Sequence, residues 1–552
     1  MSEQNYPQHF FDHLTTHQQA LKETVVSGSR IVSGFATSEP VRFYEDLWDH
    51  IIAEDLTDLT IKNALFMAPH RLLVGDALAS KGLFEGFLGK QGNPGIFGNI
   101  ARKANTITKK LEGLEKLIEH FKELRERRII FASAFTGAAE NMIIPINTIT
   151  RLKHSAFMGR NKSRMGIVHM QSVHFPDAVY AMGYDENREL AVDVFPLIMT
   201  PPDEKGFLSH GVANGATSEM LEILLRESDA KILLYINRDY PFTWGYGEDA
   251  ANTIHADKFK DAAAQGRLFV IEDDGKIPGL PAGAFDHPSK EEIAIAGHVV
   301  NHIEANMDIV KGRAIQVGIG GTGVLAIKGL MNTKWTGRCY TEMLEPFTMN
   351  LLEAGKVNGT HFIERNGTRT MIDGKICCTF TMGEQGSDFY EKLDHNKSVI
   401  CAPASRVVVP EGFFGGMGIN NVLSVDFQGH INSGGRDKNH YSGIGGAATI
   451  VRGLARGGVS YLCCKSTHKT PEGKRRSSVF PFLPHGTPIS IIGPDLMGTR
   501  DGALTYLVTE HGIAKINAMD QHSFIKSIIS VAHPDYRDWL KQQAWQEFRV
   551  SV

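Results

Sequence analysis

Gly318, Gly320 and Gly323 lie in the run Gln316-Val-Gly-Ile-Gly-Gly-Thr-Gly323, which follows an apolar strand-like segment and opens a helix-like one. Glycines at such a turn leave backbone N–H groups free to face an anion at the start of the helix. Glu342 stands 19 positions beyond Gly323 (342 − 323). Taken literally, this is G-x-G-x-x-G with its acidic partner, so a NAD-dependent dehydrogenase is one reading and a purely structural turn is another. A second loop, Tyr441-Ser-Gly-Ile-Gly-Gly446, precedes the helix-like ATIVRGLARGG and the strand-like VSYLCCKSTHK. Amides from two loops aimed at one point suit a carbonyl oxygen that becomes negative during reaction. A NAD site needs no second loop.

Other catalytic signatures are missing. The sequence contains no G-x-S-x-G, H-E-x-x-H or G-x-x-x-x-G-K-[ST], and its 23 histidines show no metal-ligand spacing. The six cysteines, Cys339, Cys377, Cys378, Cys401, Cys463 and Cys464, include two vicinal pairs and no C-x-x-C. They are expected to be reduced, buried thiols rather than a zinc or redox centre.

The elements that must carry the two loops read as α/β. Ile107, Leu111, Leu114, Leu117, Ile118, Phe121 and Leu124 recur at helical spacing. IIFASAF from Ile129, GIVHM from Gly166, KILLYIN from Lys231 and LFVIEDD from Leu268 read as strands. In the second half so do AIQVGI, VSYLCCKS and PISIIGPDL. EEIAIAGHVVNHIEANM from Glu291 and VLAIKGL read as helices, and His522–Ala544 as a helical close interrupted at Pro534. Strands separated by helices imply parallel βαβ units. A chain of 552 residues suggests two domains. The Gly-, Pro-, Asp- and Ala-rich stretch from Trp244 places the division at 1–250 and 251–552. The two halves are similar enough in style to suggest a duplication.

Apolar residues at 42% and charged residues at 22% suit a globular protein with substantial cores. A net charge of −4 provides no basic field for nucleic acid. The N-terminal MSEQNYPQHFFDHL has no signal layout, and no apolar run is long enough to span a bilayer. A cytoplasmic protein with small-molecule partners is expected.

Five stretches in order give a sharper reading: VGIGGTGVLAIKGL followed by CYTEML, VDFQGHIN from Val425, SGIGGAATIVRGLARGG, VTEHGIAKI from Val508, and SVAHPDYRDWL from Ser530. Together they resemble the acetyl-CoA hydrolase/transferase family, closely from about Ile315 onward and patchily up to about Asp239. The resemblance implies two α/β domains of the CoA-transferase type with CoA in a cleft between them, and a homodimer or larger homo-oligomer. It implies that Glu342 is the catalytic glutamate that forms a glutamyl-CoA thioester. Gly318, Ile319, Gly320, Gly321 and Thr322 would hold CoA, with the amide of Ile319 or Gly320 as one oxyanion donor and that of Gly446 as the other. Ser442 and Lys469 would contact CoA. Glu345 fits the glutamate motif less well and is assigned to structure or solvent.

No metal and no cofactor beyond the CoA substrate is expected. Ala447-Ala448-Thr449-Ile450 departs from the family pattern after the second Gly-Gly, and the region Met67–Gly98 and the basic Lys474-Arg475-Arg476 are also unusual. The basic run is read as a solvated loop before a clamp for the CoA 3′-phosphate. The acyl donor and acceptor acid stay open, as does hydrolysis at the same site. The altered segment also leaves room for a non-catalytic CoA-binding module.

Overall fold

The computed structural model describes residues 6–67, 70–76, 104–135, 168–171, 173–248, 250–280, 282–318, 320–365, 368–372, 374–436, 439–440, 443–470, 473–497, 501–517 and 519–552. The chain forms two compact units. The first takes Met1–Val173, Asp177–Ala284 and Gly383–Asn396; the second takes His174–Pro176, Phe285–Met382 and Lys397–Val552.

The first unit is built on seven parallel strands: β1 (Arg30–Val32), β2 (Thr60–Asn63), β3 (Ile130–Ser133), β4 (Val168–Met170), β5 (Val194–Met199), β6 (Lys231–Asn237) and β7 (Leu268–Asp273). Their spatial order is β4-β3-β2-β1-β5-β6-β7. Because β7 pairs along its whole length with β6, residues 251–284 belong with the first unit and not with the second, where composition had put them. Loop-like composition at Trp244 marked a long connection inside a sheet, not its end.

The second unit carries β8 (Ala314–Val317), β9 (Arg338–Tyr340), β10 (Ile376–Cys378), β11 (Val399–Cys401), β12 (Met417–Val422), β13 (Val459–Cys464), β14 (Leu504–Thr509) and β15 (Gly512–Lys515). Their order is β11-β10-β9-β8-β12-β13-β14-β15, all parallel except the last hairpin. The first seven repeat the order of the first unit's sheet. Parallel strands are covered on both faces, which is why VSYLCC is buried at every position. The same burial accounts for the cysteines, all free and buried; it pushes the Cys339 and Cys463 thiols up, away from reactive thiolate.

Helix α1 (Lys290–Ala305) starts at a capping box in which Ser289 and Glu292 satisfy each other's backbone amides. It buries Ile295, Val299 and Ile303, each worth about 1.5–3 kcal/mol. Helices α2 (Gly321–Leu330), α3 (Pro346–Glu353) and α4 (Ala447–Leu454) follow β8, β9 and the second glycine loop. Helices α5 (Gln521–Ser530) and α6 (Pro534–Phe548) close the chain on either side of the break before Pro534.

PISIIGPDL is not a strand. Ile491 makes one isolated bridge to Ile431, and Gly493–Met497 turns into a short helix. Pro488 and Pro494 remove backbone donors from the run, so its apolar residues cannot build a ladder. Among the described residues no helix is long and apolar enough to cross a membrane. None of their His, Cys, Asp and Glu side chains gather in threes to hold a metal ion.

Candidate active site

The order of the second sheet reverses between β8 and β12: the chain moves from β8 outward through β9, β10 and β11, then returns to β12 on the other side. In such sheets the crevice at the carboxyl ends of the two strands is the natural ligand position. The first glycine loop leaves β8 there. Gly318 donates its N–H to the Ile419 carbonyl at 2.8 Å, extending the β8–β12 ladder, so this amide is unavailable to a ligand. Gly320, at φ +133°, is the N-cap of α2 and has no capping side chain. A Cβ at Gly320 would lie 2.5 Å from Asn421 Nδ2. Among the described residues no side chain caps the amides of Gly320, Gly321 and buried Thr322, a helix N-terminus that favours negative charge. Ile319 and Ser442 lie outside the described residues.

Glu342 follows β9 directly, and its two predecessors each tie down a different loop. Tyr340 donates its hydroxyl to the Val407 carbonyl at 2.9 Å. Thr341 Oγ1 accepts the Val317 N–H at 3.3 Å, at the root of the first glycine loop, and donates to the Met343 carbonyl at 3.0 Å. The Glu342 carbonyl accepts the Thr379 N–H at 3.0 Å and the Phe380 N–H at 3.4 Å. The backbone around Glu342 is therefore fixed on three sides.

Its carboxylate faces the second glycine loop. A Cβ at Gly446 would lie 2.1 Å from Glu342 Oε2 and 2.5 Å from Val408 Cγ1, and one at Gly445 would lie 3.6 Å from Oε1. Only glycine permits this approach. Gly446 is the N-cap of α4, with no capping side chain among the described residues, and its amide lies by the carboxylate. Burial raises the Glu342 carboxyl to about 7, and the nearby Gly446 amide offsets only part of that rise. Oε2 is buried without a partner in hydrogen-bond geometry among the described residues. A carboxylate poised near neutrality beside the Gly446 amide, half-buried as a residue, has the electrostatics of a reacting group.

Helix α4 reaches this position because glycines let it press onto the sheet. A Cβ at Gly418 on β12 would lie 2.3 Å from Leu454 Cδ1, at the far end of α4. The departing segment Ala447–Ile450 forms the regular first half of this helix, and Ile450 packs against Gly446 with Val408.

Glu345 does a different job. It is the N-cap of α3, accepting the Phe347 N–H at 2.6 Å, the Thr348 N–H at 3.0 Å and the Thr348 hydroxyl. Its carboxyl is also pushed up to about 7 by burial, but all of its partners belong to the helix it starts. Lys469 is exposed on a hairpin, opposite Arg475. Arg475 pairs with Asp535 and Arg476 lies over the Phe480 ring at 5.1 Å, so the basic run is engaged locally.

The structure thus joins Glu342 and Gly446 directly, and links Gly318 to them through Thr341 and Val317. Tyr340, Thr341 and Val408 were missed from sequence, although the first two flank the glutamate inside the quoted CYTEML. Glu342 also occupies the place after the second strand where a dinucleotide fold sets its ribose-binding acid.

Residues 386–544 match the acetyl-CoA hydrolase/transferase C-terminal domain. Butyryl-CoA:acetate CoA-transferase of Anaerostipes caccae is 28% identical over 380 residues, 66% of this chain and 75% of that protein. The 4-hydroxybutyrate coenzyme A transferase of Clostridium kluyveri is 26% identical over 369 residues, again 66% and 75%. Among solved structures, RipA from Yersinia pestis matches with TM-score 0.66 at 21% identity, over 98% of each chain. The 4-hydroxybutyrate CoA-transferase from Porphyromonas gingivalis matches with TM-score 0.58 at 18% identity, covering 98% and 99%. At these identities the structures speak for the fold, while the matched domain and the relatives of similar sequence show that this chain is similar to the acetyl-CoA hydrolase/transferases, whose C-terminal domain it matches over residues 386–544.

Proposed function

We propose that this chain is an acyl-CoA:carboxylate CoA-transferase that works through Glu342. The observation that carries the proposal is the buried carboxylate held against Gly445 and Gly446 with its ionisation near 7. A carboxylate oxygen attacks the thioester carbonyl; the C–S bond breaks, CoA thiolate leaves, and an acyl-glutamyl anhydride remains. The thiolate then attacks the glutamyl carbonyl, releasing the free acid and leaving CoA on Glu342 as a thioester. An acceptor acid repeats these steps in reverse order and departs as its own CoA ester, so the thioester energy is conserved.

The Gly446 amide lies where the glutamyl carbonyl oxygen becomes negative, and the amides at the start of α2 suit the acyl oxygen or CoA. Losing one such donor in other acyl-transfer enzymes costs about 2.7–4 kcal/mol. Ser442 and Lys469 are assigned to CoA by resemblance. The working assembly is a homo-oligomer in the cytoplasm, with no cofactor beyond CoA itself. A ribose-binding acid would stand open to a hydroxyl pair, whereas this carboxylate is turned onto glycine backbone; that disfavours the dehydrogenase reading.

The test is to incubate the protein with acyl-CoA and no acceptor. Trypsin then releases Cys339–Lys356, between Arg338 and the next basic residue. That peptide is expected to carry the mass of CoA and to become an alcohol at Glu342 on borohydride treatment. Dithiothreitol removes any mixed disulfide on Cys339 and spares the borohydride product. Transfer that persists in Glu342→Gln, an adduct on Glu345, thioester loss indifferent to every added acid, or NAD binding without CoA binding would each overturn the proposal.

A further inference from the structure

Gly445 and Gly446 have to stay against the Glu342 carboxylate while an acyl group, CoA and a second acid pass through the site. Helix α4 anchors the loop on its C-terminal side. On the other side the anchor comes from a distant part of the chain. His174–Pro176 belongs to the second unit, although the residues on both sides of it belong to the first. His174 makes a parallel bridge to Gly445, and Phe175 donates its N–H to the Gly445 carbonyl at 3.2 Å.

The Phe175 side chain, buried, then meets the Phe380 ring edge-on, with centroids 5.9 Å apart and planes at 79°. Phe380 pairs with Met343, and its N–H points to the Glu342 carbonyl. The contacts therefore close a ring: Glu342 carboxylate, Gly445–Gly446, Phe175, Phe380 and the Glu342 backbone. One aromatic pair spans the distance between the glycine loop and the strand that holds the glutamate.

Resting on the proposed transfer at Glu342, we infer that Phe175 is a positioning residue that sets the spacing between the second glycine loop and the catalytic carboxylate. Phe175 touches no reacting atom in this scheme. It acts by fixing the Gly445 carbonyl through its backbone and Phe380 through its ring. Reaction geometry is steep in such spacing, since a misplacement of about 1 Å can cost about a hundredfold in rate.

The test compares Phe175→Leu, Phe380→Leu and the double variant in the full chain, with steady-state transfer and the rate of adduct formation on Glu342 as readouts. Each single change is expected to lower kcat roughly tenfold while KM for acyl-CoA moves less than about threefold. The double variant is expected to be no slower than the worse single one, because both break the same link. A residue that served only stability would reduce the folded fraction and leave kcat per folded molecule unchanged. Wild-type kcat in Phe175→Leu, a loss confined to KM, or multiplying losses in the double variant would each overturn the inference. If the wild type itself forms no adduct on Glu342, it is the transfer reading that falls, so the two failures are distinguishable. If Phe175→Leu does not fold, Phe175→Met and Phe380→Leu carry the same comparison.

Discussion

Replacing Glu342 by Gln is expected to stabilise the protein as it abolishes transfer, and to do so only at neutral and alkaline pH. Folding raises the Glu342 carboxyl from its ordinary 4.5 to about 7, chiefly through burial. That difference corresponds to about 3 kcal/mol between the two ionisation states, trimmed by residual solvent access to about 1–3 kcal/mol. The sign follows from proton binding. Between 4.5 and about 7 the folded chain holds a proton that the unfolded chain has lost, so stability falls as pH rises through that window and is flat above it.

Gln does not titrate and escapes this fall. Its NH2 group adds a cost of its own beside the Gly446 amide, but that cost is the same at every pH. Glu345 titrates in the same range and is present in both proteins, so it cancels. The quantity to measure is the difference in Tm between variant and wild type at pH 8, minus the same difference at pH 5. At roughly 2–4 °C per kcal/mol for a unit of this size, it is expected to be positive by about 2–12 °C. A difference that is equal at the two pH values, or smaller at pH 8, would refute the claim that the carboxyl is destabilised by its site.

Three further outcomes follow from the same geometry. The pH profile of kcat/KM for acyl-CoA is expected to show an acid limb with its midpoint near 7, losing about tenfold per pH unit below it, because only the ionised carboxyl attacks. Glu345→Ala is expected to cost about 0.5–2 kcal/mol of stability through loss of the α3 cap. It should still form the Glu342 adduct, as peptide mass spectrometry would record. Gly418→Ala is expected to slow transfer at least about tenfold by driving Leu454 and α4 off the sheet, and a second change, Leu454→Ala, to recover most of the rate.

Both glycine loops and the parallel α/β architecture were legible because each depends on local composition: glycine where backbone must be bare, apolar runs where a strand is covered twice. Glu342 stood out only by its spacing from Gly323 and by the resemblance of the motifs around it. PISIIG was misread for the same reason, since its apolar content suited a strand and its prolines did not. The division at residue 250 failed because a loop-like stretch says nothing of the strand β7 that follows it. Tyr340 and Thr341 act through side-chain bonds to Val407 and Val317, and no periodicity encodes such pairings. Phe175 lies 270 residues before Gly445 (445 − 175), and only the folded chain shows that they meet.

The interleaving of the two units also has a consequence for how the chain is made. The first unit is not finished at Ala284; it includes Gly383–Asn396, where Gly383 and Gln385 exchange backbone hydrogen bonds with Leu280, and His395 stacks on Phe242. A ribosome must add 112 more residues (396 − 284) before that piece exists. At roughly 5–20 residues per second this is a delay of about 6–22 s. For that interval the Leu280 carbonyl and the Phe242 ring wait without these partners, while the first strands of the other sheet are already being made. The chain has to complete its first half from inside its second, and a cut between the halves would leave each one missing a part of itself.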